Sequence, residues 1–524
     1  MPLIRELPSL LVRADASATQ GTGHVMRSLA LAEAWQERGG TVVFVGAIER
    51  PLRERIMNAG FDYRDITAPW PDPSDLHSTL SILDDINGHA EEMPWVVLDG
   101  YHFDPTYQGM LRAAGCRLAV IDDTAHLPLY DADLVVNHAI NAENLNYSGA
   151  SDTRFLLGTR YALLRFGFRP WRGIKRSTPQ IARNVLVTLG GSDDANVTLK
   201  VIQALGQLCV PDWEARIVAG PLNPHLDELK RAVQPFSSSM RLQTDVFDPS
   251  ELMAWADIAV AAGGTTSWEL AFMAVPTVLL ILADNQVGVA QGLEDFEVAH
   301  VVGIGTSVSS VEIANALQAL MHDRPRREEM ARMGNIVVDG RGAERVVDCM
   351  SYETNDADDY RVRRAEEDDG FLLWLWANDP ETRKNSFVPQ PIAWWTHEQW
   401  YSRILKSPDC RVWILEHRHV PVGQIRYERV NAATAQISFS VGARFRGKGM
   451  GTRLLDLTVG LAGRELGVDC AQGVTFADND ASRRAFLRAN FRGIEERVIN
   501  GRPCVVFRRP CFVSLSDEAG VAVD

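Results

Sequence analysis

Leu10-Leu11-Val12-Arg13-Ala14-Asp15 leads, after a short gap, into Gly21-Thr22-Gly23-His24-Val25-Met26-Arg27. The first stretch is a short apolar run of the kind that forms a buried strand. From Val25 to Trp35, apolar residues such as Leu29 and Ala32 recur at helical spacing. A glycine-rich turn between strand and helix leaves backbone N–H groups uncovered at the helix N-terminus, where an anionic group is favoured. The histidine at the tip of that turn has the chemistry of a base near neutral pH. The same residues also describe an ordinary strand-to-helix turn with a surface histidine, and local sequence alone leaves both open.

Outward from this turn come Thr41–Val45, Trp95–Asp99 and Leu118–Asp123, each a short apolar run separated from the next by helical or loop sequence. That alternation predicts a parallel sheet wrapped by helices, over residues 8–170. Ligands bind such sheets at the carboxyl ends of the strands. Asp99-Gly100-Tyr101 and Asp122-Asp123-Thr124 both fall there. Each carboxylate either orients the His24 ring or a sugar hydroxyl, or caps the following helix. The basic stretch Arg172–Arg176 reads as a crossing to the next domain.

Residues 178–350 repeat the pattern. Asn184–Leu189 runs into Gly190-Gly191-Ser192-Asp193. Ile258–Ala261 runs into Gly263-Gly264-Thr265-Thr266-Ser267 and a helix carrying Glu269. Pro276–Leu282 runs into Asp284-Asn285-Gln286. Two glycine-rich turns facing one crevice suit a nucleoside diphosphate: glycine lets the backbone approach, and hydroxyl and N–H groups meet the phosphate oxygens. Glu269, one turn into its helix, suits the paired hydroxyls of a ribose. No Gly-x-x-x-x-Gly-Lys-Ser/Thr occurs, which excludes a Walker-type ATPase.

A polar, acidic joint at 351–358 precedes a change of texture to mixed α+β over 359–512, and residues 513–524 read as a flexible tail. In the third domain Arg446-Gly447-Lys448-Gly449-Met450-Gly451 directly precedes a helical run from Thr452 to Leu466. Its N–H groups form a cradle for a pyrophosphate.

At 524 residues the chain is too long for one core, and about three domains are expected. A formal charge of −15 argues against general nucleic-acid binding. The seven cysteines are scattered and never in Cys-x-x-Cys, which fits a reducing cytoplasm better than a disulfide framework or zinc site. No apolar run is long enough to span a bilayer, and Met1–Glu6 lacks the build of a signal peptide. No membrane or nucleic-acid partner is expected.

These motifs carry two resemblances. A pair of Rossmann-like domains, one with a catalytic turn and the next with Gly-Gly-Thr…Glu…Gln, resembles the GT-B glycosyltransferase architecture. Arg13-Ala-Asp15-Ala-Ser17, Gly21-Thr-Gly23-His24-Val-x-Arg27, Asp99-x-Tyr101, Asp122-Asp123, Gly190-Gly191-Ser192-Asp193 and Asp339-Gly340-Arg341-Gly342 resemble the UDP-2,4-diacetamido-2,4,6-trideoxy-β-L-altropyranose hydrolases of pseudaminic acid biosynthesis. That resemblance implies metal-independent, inverting attack of water on the anomeric carbon of a UDP-sugar. His24, Asp15 and Tyr101 would be catalytic, with His24 activating the water. Gly21, Gly23, Arg27, Gly190, Ser192, Gly263, Gly264, Thr265, Thr266, Ser267, Glu269, Asn285 and Gln286 would bind the UDP-sugar.

The other resemblance is to the GNAT acetyltransferases. Arg446-x-x-Gly449-x-Gly451 matches their Arg/Gln-x-x-Gly-x-Gly/Ala, and Asn479-Asp480-Ala481-Ser482…Phe486 resembles their second cofactor segment. It implies acetyl-CoA as acetyl donor, bound by Val441, Arg446, Gly447, Lys448, Gly449, Met450, Gly451, Asn479, Ser482 and Phe486. One departure stands out: Phe486 occupies the place of a tyrosine that often serves as general acid. Glu416, Glu428 and His397 are base candidates or else structural residues. Trp374, Trp376, Trp394 and Trp395 either wall an acceptor pocket or fill the core.

Together the two halves predict successive steps, N-acetylation of the 4-amino group of a UDP-4-amino-4,6-dideoxy sugar and then hydrolysis of the diacetamido product. The rival expectations are a GT-B glycosyltransferase delivering the sugar to another acceptor, an acetyl-CoA-sensing module without turnover, or acetylation of a different amine.

Overall fold

The computed structural model describes residues 7–17, 21–87, 93–220, 222–244, 246–352 and 359–512. Most of the expected joint at 351–358 and all of the expected tail at 513–524 lie outside these residues. The chain divides into two compact units, residues 1–351 and 352–524.

The first unit holds two parallel sheets. The strands of one are β1 (Leu10–Ala14), β2 (Val42–Gly46), β3 (Asp62–Asp65), β4 (Trp95–Asp99), β5 (Arg117–Ile121), β6 (Leu134–Asn137) and β7 (Arg154–Leu157), in the order β3-β2-β1-β4-β5-β6-β7. Those of the other are β8 (Asn184–Thr188), β9 (Glu214–Val218), β10 (Met240–Gln243), β11 (Ile258–Ala262), β12 (Thr277–Ile281) and β13 (Ala299–Ile304), in the order β10-β9-β8-β11-β12-β13. Their pairings are parallel throughout the described residues. β1, β2, β4 and β11 are buried along their whole length, because helices cover both faces of each sheet. Each order is that of a Rossmann-like domain, in which the connection reverses direction beside the first strand. That switch point lies between β1 and β4 in one sheet and between β8 and β11 in the other, and a crevice opens there at the carboxyl ends. The two crevices face each other across one cavity lined by residues of both sheets. The last helix of the unit, Gly342–Ser351, packs against the helix Gly23–Glu37 of the first sheet, and Gly342 abuts the backbone of Ala162 too closely for any side chain.

The second unit is a mixed sheet built from β14 (Tyr360–Arg364), β15 (Cys410–His417), β16 (Val420–Asn431), β17 (Thr434–Val441), β18 (Cys470–Phe476), β19 (Arg492–Ile499) and β20 (Arg502–Pro510), in the order β14-β15-β16-β17-β18-β20-β19. Neighbours are antiparallel except β17 and β18, which pair in parallel from Thr434–Cys470 to Ile437–Gly473. Beyond Ile437, β17 runs on to Val441 paired with β16, and β18 no longer pairs with its other edge. Among the described residues no helix is long and apolar enough to cross a membrane.

A buried charge sits in the middle of β1. Arg13 is wholly enclosed and donates to Asp15 Oδ1 at 2.5 Å and to Asp75 Oδ2 at 2.5 Å. The amide of Ala47 donates to Asp15 Oδ1 at 2.7 Å, and His102 Nε2 lies 2.9 Å from Asp15 Oδ2. Burial opposes ionisation of Asp15, but His102, Arg13 and the Ala47 amide outweigh it and bring the carboxyl down to about 2. A depressed carboxyl contributes stability that is complete above its unfolded value of about 4 and lost as pH falls toward about 2. Asp15→Asn is therefore expected to lower the unfolding free energy at pH 7 by about 2 kcal/mol. In urea titrations across pH the wild-type advantage should shrink between pH 4 and pH 2; an advantage independent of pH contradicts this assignment.

Candidate functional site

The turn after β1 places His24 and Arg27 one helical turn apart, on the face of the helix Gly23–Glu37 directed toward the end of β4. Asp99, the last residue of β4, is wholly buried beneath them. Its Oδ1 lies 2.6 Å from His24 Nδ1. Arg27 donates to it through Nε (2.7 Å, to Oδ2) and Nη2 (2.6 Å, to Oδ1), and the Ser28 hydroxyl donates to Oδ2 at 3.2 Å. Burial alone would raise the Asp99 carboxyl. The charge of Arg27, then that of His24, reverses this and holds it well below the usual carboxylate range. An ionised Asp99 only accepts, so Nδ1 of His24 carries the hydrogen of their bond and Nε2 is the nitrogen left to accept a proton. Asp99 caps no helix; Asp104 caps the next one, accepting from the Tyr107 amide at 2.9 Å.

Arg27 reaches on through Nη1 to Asp123 Oδ2 at 2.9 Å, and Asp123 Oδ1 accepts from the Tyr101 hydroxyl at 2.5 Å. The Tyr101 ring stands edge-on to His24 at 5.2 Å. From the second domain, Asn285 Nδ2 donates to the Tyr101 hydroxyl at 3.0 Å. Asp122, by contrast, turns inward. It closes a local turn through the amides of Thr124 and Ala125 and binds His126 and Tyr130.

His24, Arg27, Tyr101 and Asp123 line a cavity of about 460 Å³ within this unit. Gly21 and Gly23 line it too, and opposite them stand Gly190, Ser192, Gly263, Gly264, Thr265, Thr266, Glu269, Asn285 and Gln286. The two sets of turns approach closely: a side chain on Gly191 would run into Thr22, and one on Gly23 would come within 3.4 Å of the Thr265 hydroxyl. Gly190 holds φ +96°, which glycine adopts without strain. Glu269 pairs with Arg165 at 3.0 Å, both mostly buried at the cavity wall. The Gln286 side chain accepts from the Leu282 amide at 2.9 Å, tying its loop to the strand end.

Two expected residues are placed elsewhere. Ser267 is buried and its hydroxyl donates to the Ala262 carbonyl at 2.9 Å, so it braces the turn instead of facing the cavity. Asp15 belongs to the Arg13 cluster and is not among the lining residues. Conversely, His138, Arg165 and Trp268 line the cavity without having been singled out in the sequence. His138 follows β6, and a polar residue directly after a buried strand was the available signal.

In the second unit, Gly447 and Gly449 take φ +75° and +84° and turn the chain into the helix Met450–Leu466. Lys448 lies between them, and Gly451 packs against Phe439. Arg446 is drawn away from this cradle. It donates to Asp379 Oδ1 at 2.5 Å, to the Thr382 hydroxyl at 3.2 Å and, through Nε, to the Val441 carbonyl at 3.2 Å. It thus fixes the turn against the open end of β17. Asn479 caps the helix Asp480–Arg488, its Oδ1 accepting from the Ser482 amide at 3.1 Å.

Residues 360–492 match the family model described as the acetyltransferase (GNAT) domain. The C-terminal domain is a GNAT acetyltransferase domain. Over a longer span, an uncharacterized protein of Methanocaldococcus jannaschii is 22% identical across 457 residues, 85% of this chain and 89% of its own. The spore coat polysaccharide biosynthesis protein SpsG of Bacillus subtilis is 27% identical across 233 residues, 41% of this chain and 68% of its own. Among solved structures, MurG of Acinetobacter baumannii aligns over 65% of this chain and 98% of its own, with 17% identity and a TM-score of 0.47.

Inside the GNAT domain, two of the three base candidates are structural. Glu416 is buried between Arg361 and Arg363, accepting at 2.7 Å from each. His397 is buried with Nε2 at 3.0 Å from the Gly370 carbonyl, and burial pushes its pKa down to about 4. Glu428 remains exposed on β16. Trp374 and Trp394 pack edge-on at 5.6 Å and knit two helices together, Trp376 is buried, and Trp395 is exposed. Phe486 is a core residue. Its ring stacks on Phe507 at 5.1 Å, meets Phe491 and Phe439 edge-on, and sets its Cζ atom directly over Gly473. Phe486→Tyr is accordingly expected to add no acetyl-transfer rate and to destabilise the domain by about 1–3 kcal/mol through overpacking. Thermal unfolding and turnover of the purified variant check both; a faster, equally stable enzyme contradicts the assignment.

Proposed function

We propose that the chain is a bifunctional enzyme of pseudaminic acid biosynthesis. Its GNAT domain (359–512) transfers the acetyl group of acetyl-CoA to the 4-amino group of a UDP-4-amino-4,6-dideoxy sugar. Its GT-B unit, with the His24 turn in 8–170 and the UDP cradle in 178–350, hydrolyses the resulting UDP-2,4-diacetamido-2,4,6-trideoxy-L-altrose to the free sugar and UDP.

The observation that carries the hydrolytic reading is the His24–Asp99 pair, 2.6 Å apart and clamped by Arg27, at the wall of a cavity faced by two glycine-rich turns. His24 Nε2 takes a proton from water as the water oxygen attacks the anomeric carbon. The bond from that carbon to the diphosphate oxygen breaks with inversion, and its electron pair leaves with UDP. Asp99 stays ionised and stabilises the imidazolium that forms. Backbone N–H groups around Gly190–Ser192 and Gly263–Thr266 take up the charge on the departing diphosphate, and Glu269 holds the ribose hydroxyls. Tyr101, held by Asp123 and Asn285, walls the sugar beside His24.

For the GNAT domain, the amides after Gly447 and Gly449 hold the pyrophosphate of the acetyl donor, and the open edge of β17 up to Val441 takes its extended arm. Residues 360–512 carry 24 Lys and Arg against 17 Asp and Glu in a chain of net −15. That local excess suits two anionic ligands, CoA and a UDP-sugar.

The test is incubation of the full chain with the 4-amino UDP-sugar, with and without acetyl-CoA, followed by mass spectrometry and phosphorus NMR. UDP and the diacetamido sugar are expected only with acetyl-CoA. His24→Ala should stop at the acetylated UDP-sugar, and Asp99→Asn should lower kcat for UDP release by about 10²–10⁴-fold. UDP release without acetyl-CoA contradicts the order of steps. Acetylation without UDP release, unless a further sugar acceptor is added, favours glycosyl transfer over hydrolysis.

A further inference from the structure

The two faces of the GNAT sheet are covered differently. On one, Ile437 shares a core with Met450 and Leu454 of the helix Met450–Leu466, and Phe439 reaches Gly451. On the other, the helix Trp394–Lys406 sets Tyr401 and Ile404 on Cys410, Val412 and Ile414 of β15. Arg426 of β16 lies opposite Val412, and Ser438 of β17 lies opposite Arg426, so both belong to this second face. Gln424, Ser440, Gln436 and Gln472 continue it. Gln424 donates to the Ser440 hydroxyl at 3.1 Å, and Gln472 donates to Gln436 Oε1 at 3.2 Å. Side chains alternate along a strand. Where β17 has parted from β18, Phe439 therefore turns toward the helix behind the glycine cradle, and Ser438 and Ser440 turn the opposite way.

A polar open face is ordinary for such a sheet. Arg426 on it is not. Its side chain is 24% exposed, and its Nε is buried without a hydrogen-bond partner. Among the described residues nothing hydrogen-bonds its Nη atoms either; Glu428 Oε2 stands 3.8 Å from Nη2, beyond hydrogen-bond reach. The guanidinium lies over the Trp400 ring, 5.2 Å from its centroid, which steadies the fork. Other arginines of this face are committed: Arg361 and Arg363 to Glu416, and Arg508 to Gln472. A largely buried guanidinium without acceptors is costly. Its planar fork matches two oxygens of a phosphate. The exposed Ser438 hydroxyl, directly across the strand pair, offers one more donor. The amides and hydroxyls alongside are uncharged and suit the hydroxyls of a sugar ring.

We infer that Arg426, steadied by Trp400 and joined by Ser438, binds the phosphate of the acetyl acceptor, with the sugar ring on the Gln424–Ser440 part of the same face. Arg426 thereby makes acetylation specific for an amino sugar carried on a phosphate over the same amino sugar without one. This rests on the proposed reading of the acceptor as a UDP-linked amino sugar.

The test is steady-state acetyl transfer by the full chain, followed as release of the CoA thiol. The acceptors are the 4-amino UDP-sugar and the methyl glycoside of the same amino sugar. CoA release reads the first step alone, so hydrolysis does not enter. The wild type is expected to show a KM for the UDP-linked acceptor about tenfold or more below that for the glycoside. Arg426→Gln should raise the KM for the UDP-linked acceptor by about ten- to a hundredfold and leave that for the glycoside unchanged. Its KM for acetyl-CoA should also be unchanged, which reports a folded domain. Arg426→Lys, with the charge but not the fork, should recover part of the loss. The wild-type comparison of the two acceptors stands even if Arg426→Gln does not fold. Equal use of both acceptors by the wild type, an unchanged KM for the UDP-linked acceptor in Arg426→Gln, or a rise shared by both acceptors overturns the inference. Failure of the wild type to acetylate either one contradicts the proposed acceptor itself.

Discussion

The first unit is organised around the Arg27–Asp99 ion pair. Both groups are buried, and removing two charges from water costs several kcal/mol each unless geometry and further hydrogen bonds compensate. Here the pairing is bidentate, Ser28 adds a donor, and Asp123 takes the remaining arm of Arg27. Because Asp99 ends a central strand and Arg27 lies in the first turns of the helix after β1, the pair sets the register of that helix against the sheet. His24, one turn earlier, inherits its position from the pair. The residue to which the proposed chemistry is assigned is thus held by a buried ion pair.

A further constraint is the meeting of two switch points. Each sheet opens a crevice where its connectivity reverses, and residues from both line one cavity. Facing each other, they place a polarised histidine on one wall and glycine-rich, N–H-rich turns on the other. The fit is close enough that Thr22 fills the space beside Gly191, and Tyr101 and Asn285 bridge the gap with a hydrogen bond. The GNAT domain uses the same physical device, a helix N-terminus behind a glycine turn, on an unrelated sheet.

The apolar strands, the four glycine-rich turns and His24 were legible because each is a local pattern: an apolar run, a cluster of glycines, a histidine beside one of them. The short strands were not. β3 is largely exposed at its sheet edge and carries Asp62, Arg64 and Asp65, and β6 and β7 are too short to show a period. Roles that depend on three-dimensional partnership were equally hidden. Asp15 and Glu416 have the sequence setting of active carboxylates, yet arginines from their own or a neighbouring strand neutralise both. Phe486 stands in sequence where a catalytic tyrosine would, and only the packing of Gly473 beneath the ring marks it as core. Arg426 has no motif around it; its interest lies in burial and an unpaired nitrogen, which sequence does not encode locally.

In the proposed hydrolysis His24, held by Asp99, delivers water to the anomeric carbon. The most direct test is turnover of the acetylated UDP-sugar in ¹⁸O-labelled water, with the released sugar and UDP analysed separately by mass spectrometry at early times. The label is expected on the anomeric oxygen of the sugar and not in UDP. Label in the terminal phosphate of UDP would mean that water attacks phosphorus, and the role assigned to His24 would be wrong.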